Sequence, residues 1–161
     1  MKKLLILLLL FLFSASLSFA RTVFTMYPGA YLGGNAPAEK GLSFGGDFQM
    51  GLEFGRFYYD DFVFGIHGNI GIDSGLPNKP NFYYGGLTEI YWGEDEIKIG
   101  LSVGIGGNRG TSSSDNPQKS AYFRFGLPVN FNGKFKSSAC FDWYPKIGSR
   151  LGIIMHFGIH L

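Results

Sequence analysis

Apolar and polar residues alternate along most of the chain after residue 20. Between residues 42 and 54, Leu, Phe and Met occupy almost every second position, and Ser, Gly, Asp, Gln and Glu stand between them. Successive side chains of a β-strand point to opposite faces, so a period of two predicts strands and not helices. The same alternation continues in four further segments, residues 62–73, 97–106, 121–131 and 151–161.

Three other segments of similar length carry aromatic or small residues on both faces, residues 22–32, 82–92 and 135–144. Their spacing along the chain fits strands between the five regular ones, which gives eight strands in all. Strands of about 9 to 11 residues are long enough to cross a bilayer when they are tilted. The pattern therefore predicts an all-β chain with strands of membrane-spanning length.

The predicted connections between strands fall into two classes. The short ones occupy residues 56–61, 93–96 and 132–133, and the last of these is Asn-Gly, a strong signal for a two-residue hairpin. The long ones are polar and occupy residues 33–40, 73–81 and 108–120, whereas residues 145–149 are intermediate. Short turns at one end and long loops at the other are typical of transmembrane barrels, whose long loops face outside.

The two faces of the predicted strands differ in composition. One face is almost continuous Phe, Ile, Leu, Val and Met, and the chain offers no helix to cover it. A bilayer covers such a face, and closing the sheet satisfies the backbone groups of its edges. We therefore predict an eight-stranded antiparallel up-and-down transmembrane β-barrel. Its interior would hold Gly and Ser with Asp47, Gln49, Glu53, His67, Asn69, Glu89, Lys98, Arg124, Lys136, Asp142 and His156.

The first twenty residues have the features of a secretory signal peptide. Lys2 and Lys3 precede an apolar run over residues 4–13, and the small residues Ser18 and Ala20 suit signal peptidase. The run is shorter than the roughly 20 residues of a membrane-spanning helix. We predict residues 1–20 as the signal peptide and residues 21–161 as one barrel domain in the outer membrane of a Gram-negative-type bacterium.

The charge balance of the predicted barrel argues against nucleic acid as a partner. Two of the 14 basic residues are Lys2 and Lys3, so those that remain equal the 12 acidic residues in number. A nucleic-acid-binding surface needs an excess of Lys and Arg to neutralise phosphates. The one cysteine, Cys140, excludes an internal disulfide, and we interpret it as an inert inward side chain.

The three histidines are the candidates for catalysis or metal binding. His156 and His160 lie on one face of a predicted strand, about 13 Å apart, which is too far to share one ion. His67 would form an acid/base pair with a nearby carboxylate, although any polar barrel interior offers such pairs. Its possible partners are Glu53, Asp73 and Asp142. We expect no catalytic, cofactor-binding or metal-binding site and no cofactor.

In size, pattern and loop asymmetry, residues 21–161 resemble the small eight-stranded outer-membrane barrels of the OmpX and OmpA-domain type. The resemblance implies outer-membrane lipid around the barrel and the barrel assembly machinery as a partner during insertion, and we expect a monomer. Members often end in an aromatic residue, whereas this chain ends in Leu161. Pro28 and Pro128 are a second departure, because each removes a ladder donor and predicts a bulge or a local break.

Three functions remain open for such a barrel. We favour a non-enzymatic structural, adhesion or surface-binding role through the three long loops. A narrow channel is possible, although eight strands leave an interior that side chains fill. A lipid A-modifying enzyme is also possible, because the resemblance includes acyltransferases and deacylases. The deacylases carry a His-x-Ser arrangement, and here Asn69 follows His67 and Gly158 follows His156 at that spacing.

Overall fold

The computed structural model describes residues 22–36, 42–55, 62–73, 81–94, 96–110, 119–145 and 148–161. Within these ranges no helix is long and apolar enough to cross a bilayer. The strands in chain order are β1 Thr22–Ala36, β2 Leu42–Phe54, β3 Phe62–Asp73, β4 Asn81–Glu94, β5 Ile97–Gly110, β6 Lys119–Phe131, β7 Phe135–Tyr144, β8 Gly148–Phe157 and β9 Ile159–His160.

Strands that follow one another in the chain pair antiparallel, and the ladder between β1 and β8 closes the sheet. The short β9 extends β8 along β1, because Gly29 pairs with His156 and Met26 pairs with Ile159 in one continuous register. The last two elements are therefore a single strand of the barrel wall. The predicted eight-stranded antiparallel up-and-down barrel is confirmed.

Two prolines interrupt the ladders without shifting their register. Among the described pairings, Pro28 has none with the last strand and Pro128 has none with β5. A proline has no N–H to donate, so a rung is lost on the side that its nitrogen faces. The register is the same before and after each gap, so the disturbance predicted at both prolines is a local break and not a bulge.

The pairings also fix the stagger of the strands. A path followed through the ladders once around the barrel leaves β1 at Thr25 and returns to β1 at Asn35, ten residues further along. In a closed sheet this stagger sets the tilt of the strands and the width of the barrel, and eight strands leave an interior that side chains fill. The path runs through Gly51, His67, Leu87, Gly104, Arg124, Asp142 and Arg150.

The wall of the barrel is apolar outside and polar inside. The charged, amide and histidine side chains predicted to lie in the interior are all buried, and none of them exposes more than 3% of its surface. Most of the large apolar side chains instead point outward, and those most exposed include Phe44, Ile105, Leu127 and Leu151, whereas Val63, Leu87 and Ile154 are buried. An apolar wall around a polar interior is stable when lipid surrounds it. The barrel therefore spans a bilayer.

Several strands are longer than the sequence predicts, which shortens the long loops. Gly33 and Gly34 belong to β1, contrary to the predicted loop at residues 33–40, because both pair with β2 and with β8. A side chain at residue 33 would overlap the ring of Tyr31, so glycine here serves packing and not a turn. The prediction of a loop over residues 108–120 is wrong in the same way at both of its ends, since β5 reaches Gly110 and β6 begins at Lys119.

The third predicted loop, residues 73–81, loses only its first and last residue to β3 and β4. The connections that remain, residues 37–41, 74–80 and 111–118, lie outside the described residues, and so do the predicted signal peptide and the connection at residues 56–61. We call the end of the barrel with the first three connections the loop end and the opposite end the turn end. The turn-end connection at residues 56–61 is longer than the loop-end connection at residues 37–41. The two ends of the barrel therefore differ less in the length of their connections than predicted.

The predicted Asn-Gly hairpin is confirmed at the turn end. Three residues, Asn132, Gly133 and Lys134, connect β6 to β7, one more than predicted, and Asn132 and Gly133 have φ angles of 53° and 66°. Two successive residues with positive φ are the requirement of a type I′ turn, which matches the twist of the strands it connects. The turn also forms a hydrogen bond with the C-terminal segment, because Gly158 donates its N–H to the Lys134 carbonyl at 2.6 Å.

Candidate functional site

The candidate site is the polar interior of the barrel, where ionisable side chains from seven strands meet. Its members divide into two groups along the barrel. The loop-end cluster contains Asp47, Asp73, Arg124, Asp142, Arg150 and His156. The turn-end cluster contains Thr25, Tyr27, Glu53, His67, Glu89 and Lys136.

Asp142 is the centre of the loop-end cluster. Arg124 donates to both of its carboxylate oxygens, at 2.7 Å from Nε and 3.0 Å from Nη2, and Arg150 Nη2 donates to it at 2.8 Å. The Nη1 atoms of the two guanidinium groups bind the other two carboxylates, Arg124 to Asp47 at 3.3 Å and Arg150 to Asp73. Two cations are thus shared among three carboxylates, an arrangement in which each buried charge has an opposite charge beside it.

Tyrosine rings enclose these cations. The guanidinium carbon of Arg150 lies 4.3 Å from the centre of the Tyr31 ring, and that of Arg124 lies 5.1 Å from the centre of the Tyr83 ring. Tyr83 also donates its hydroxyl to Asp47 at 2.8 Å. Aromatic faces attract cations and exclude water, so they strengthen the ion pairs next to them.

Lys136 is the cation of the turn-end cluster. Its Nζ atom donates to Glu89 at 2.9 Å and to Gln49 at 2.5 Å, and it lies 4.2 Å from the centre of the Tyr27 ring. Tyr27 in turn donates its hydroxyl to Glu53 at 2.7 Å. Both carboxylates of this cluster are therefore held in place, one by an ammonium group and one by a phenol.

His67 lies between a hydroxyl and two carboxylates. Its Nε2 atom is 3.1 Å from Thr25 Oγ1 and 3.5 Å from Glu53, and its Nδ1 atom is 3.2 Å from Glu89. Of the three carboxylates that the sequence offered as partners of His67, Glu53 lies near it, and Glu89, which was not among the three, lies closer. The other two, Asp73 and Asp142, form no ion pair with it. Those two carboxylates belong to the loop-end cluster, where guanidinium groups bind them.

The other two histidines lie apart from this group. His156 Nε2 lies 2.7 Å from Asp47, and the His160 ring contacts the Gly133 carbonyl at the turn end. All three histidine rings meet the edge or face of Tyr27, with centroid distances of 5.8 to 6.3 Å. Among the described residues, no group of three or more His, Cys, Asp and Glu side chains is arranged to hold a metal ion.

Three members of the site were not singled out in the sequence, Thr25, Tyr27 and Arg150. Arg150 follows the predicted connection at residues 145–149 and precedes the regular alternation from Leu151. Thr25 and Tyr27 lie in β1, whose alternation is irregular because aromatic residues occur on its two faces. The one available signal was their odd-numbered position, which places them on the same face as Tyr31 and opposite the lipid-facing residues. Cys140 lies in the interior as predicted and is 3% exposed.

The solved structures that share this fold include the following three. Neisserial surface protein A (NspA) is 13% identical, and the match covers 88% of this chain and 97% of that chain with a TM-score of 0.53. The outer membrane enzyme PagL is 13% identical, with 83% and 98% covered and a TM-score of 0.54. The N-terminal β-barrel domain of Pseudomonas aeruginosa OprF is 14% identical, with 87% and 99% covered and a TM-score of 0.53.

At these identities the likeness concerns the fold, which is that of the small eight-stranded outer-membrane β-barrels. The sequence matches no protein-family profile and no curated protein. Together with the apolar outer wall, the fold places the chain in the outer membrane of a Gram-negative bacterium.

Proposed function

We propose that this chain is a non-enzymatic outer-membrane barrel whose loop-end connections carry a structural, adhesion or surface-binding role. The observation behind the proposal is the packed interior, in which the charges of both clusters are buried and paired. Side chains fixed in this way give the wall a rigid support. Rigid scaffolds of this kind usually leave recognition to the loops that they present.

A narrow channel is the first alternative, and the packing of the loop-end cluster argues against it. Ions diffuse through hydrated space, whereas Arg124 and Arg150 reach across the interior from β6 and β8 to Asp47 on β2 and Asp73 on β3. We expect the purified barrel to give no steady current above the baseline of a planar bilayer. Long-lived current steps that increase in number with added protein would favour the channel.

A lipid A-modifying enzyme is the second alternative, and one contact justifies its test. Thr25, His67 and Glu89 follow the order hydroxyl, imidazole and carboxylate that activates a nucleophile. All three are enclosed, at 0%, 1% and 2% exposure, so we expect no turnover. Lipid A from cells that express the barrel or its Thr25→Ala variant should have the same mass spectrum. A mass change that the variant abolishes would favour the enzyme.

Loop replacement tests the favoured function directly. In one variant a Gly-Ser linker of equal length replaces residues 112–117, and in a second it replaces residues 75–79. A matched control carries the linker at residues 57–60, in a turn-end connection. We expect the two loop variants to lose adhesion to sister cells or to matrix-coated surfaces, while the control keeps it.

Heat-modifiable gel migration would show that all three variants fold. If cells with no barrel, wild-type barrel and loop variants adhere equally and resist detergent equally, the proposed surface role is wrong. Protection of cells against detergent that depends on the barrel but not on the loops would narrow the role to a structural one.

A further inference from the structure

A long apolar groove crosses the outer wall from β5 through β6, β7, β8 and β1 to β2. Its volume is about 800 Å³. At its floor the side chains are small and point inward, so the backbone of the wall forms the outer surface there. These floor residues are consecutive partners in the ladders, and the groove therefore follows the hydrogen-bonding direction of the sheet. They are Ser102, Gly126, Cys140, Gly152 and Gly33.

Two ridges of outward-facing side chains border this floor. The ridge on the turn-end side contains Leu101, Leu127, Ala139, Ile153 and Leu32. The ridge on the loop-end side contains Val103, Phe125, Phe141, Leu151 and Leu42. Because each ridge follows the same register as the floor, the groove between them is straight.

The groove descends from the loop end toward the middle of the wall. At its upper end Leu42 is the first residue of β2, whereas at its lower end Ser102 lies eight residues before the last residue of β5. Six strands spaced about 4.8 Å apart give the groove a length of roughly 24 Å. The hydrogen-bonding direction is perpendicular to strands that tilt by about 40°, so this length corresponds to a descent of roughly 15 Å. That descent is half the hydrocarbon thickness of a bilayer, which is about 30 Å.

Exposed charges locate the groove within the bilayer. Among the charged side chains that the structure describes in the strands, those exposed are Arg109 near the loop end and Glu94 at the turn end. Arg109 lies seven residues above Ser102 on β5, a rise of roughly 18 Å for a strand tilted by about 40°. Ile97, the register partner of Glu94, lies five residues below Ser102, a descent of roughly 13 Å. The lower end of the groove is therefore near the middle of the membrane, and the groove crosses the leaflet on the loop-end side.

We propose that this groove binds one saturated acyl chain of lipid A in the outer leaflet. The long loops of membrane barrels face outside, so the leaflet that the groove crosses is the outer one. The ridges are apolar and the backbone of the floor is paired in the ladders, so the groove complements hydrocarbon. Its straight course fits an extended chain better than a chain bent by a cis double bond. The inference concerns the wall and not the loops, so it is independent of the proposed surface role.

Native mass spectrometry of the detergent-purified barrel with added lipid A of fully saturated chains tests the proposal. Leu127→Ala and Leu151→Ala each remove one outward side chain, from opposite ridges of the groove. We expect each to raise the apparent Kd about fivefold, as for lost contact with one or two methylene groups. The matched control is Ile70→Ala on β3, which is 58% exposed as against 56% for Leu127 and lies outside the groove. It should keep the wild-type affinity.

A second lipid A, with chains of equal length that each contain a cis double bond, tests the fit of the chain itself. We expect the wild-type barrel to bind it about fivefold more weakly, and the Leu127→Ala/Leu151→Ala double variant to bind both lipids alike. Heat-modifiable migration establishes the folding of each variant before lipid is added. Equal affinity for saturated lipid A in the ridge variants and the Ile70 variant would overturn the proposal. Equal affinity of the wild-type barrel for the two lipids would overturn it as well.

Discussion

Asp142 holds two arginines in an interior that water does not reach. It is 0% exposed, and Arg124 and Arg150 both donate to it at 3.0 Å or less. Asp142→Asn removes the charge but keeps the shape, and it leaves two cations short of an anion. Loss of one partner from a buried ion pair typically costs about 3–5 kcal/mol. We expect the free energy of unfolding of the barrel in detergent, measured with urea, to fall by that amount.

The matched control is Glu94→Gln, which removes a carboxylate of the same charge from an exposed position at the turn end. That variant should unfold at nearly the wild-type urea concentration. If the two substitutions have equal effects, the loop-end cluster does not contribute to stability in the way that its geometry indicates.

Glycines on the two sides of the wall should respond differently to substitution. A Cβ atom at residue 106, which faces inward, would lie 2.6 Å from the Tyr122 ring and 2.8 Å from the Gly85 backbone. We expect Gly106→Ala to lower the free energy of unfolding by about 1–3 kcal/mol, as overpacking does. Gly68→Ala faces outward with contacts no closer than 3.9 Å, so urea unfolding should show no loss. The reverse order would contradict this placement of the two faces.

The sequence allowed the buried residues to be predicted but not most of their partners. Alternation decides which face a residue occupies, so Asp47, Arg124 and Lys136 were correctly placed inside. Pairing across the interior depends on the stagger of the closed sheet, which no local pattern contains. Asp47 and Arg124 are 77 residues apart and meet for that reason. Glu53 was one of three carboxylates offered as partners of His67, and it lies near His67 because β2 and β3 are neighbours in the chain.

At the scale of elements, the hairpin between β6 and β7 depends on one glycine. Gly133 has a φ of 66°, a conformation that costs most other residues about 1–2 kcal/mol. Gly133→Ala should therefore lower the free energy of unfolding by about 1 kcal/mol, measured by urea titration of the refolded barrel. Lys134→Ala, at an exposed position of the same turn, is the control and should have little effect. Equal stability of both variants would exclude a strained turn.

Strand ends were harder to predict from the sequence than strand interiors. Gly33, Gly34 and Gly110 belong to strands, although glycine runs are usually a sign of loops. In this barrel several inward glycines make room for tyrosine rings. Glycine therefore serves packing within these strands and does not mark their ends. The prolines, by contrast, allowed breaks in the ladders to be predicted. Pro28 and Pro128 have no N–H to donate, so each removes hydrogen bonding only near its own position.

At the scale of the whole molecule, closure should give the barrel resistance to dodecyl sulfate at room temperature. A continuous ladder has no free edge at which a detergent or another strand can begin to separate it. We expect unheated and boiled samples of the outer-membrane fraction to migrate differently on gels, and the mature N-terminus to be Arg21 by mass spectrometry. Identical migration in both samples, or recovery in the periplasm, would contradict a closed membrane barrel.

The ladder between β1 and the last strand also has a consequence for the order of assembly. Most ladders join strands that are adjacent in the chain, whereas this one joins Thr25 to His160. Contacts between distant residues are slow to form, because the chain between them must first be brought together. Before that step the sheet is an open ribbon with two unpaired margins. The time between insertion and closure is therefore the period in which a foreign strand can compete for β1.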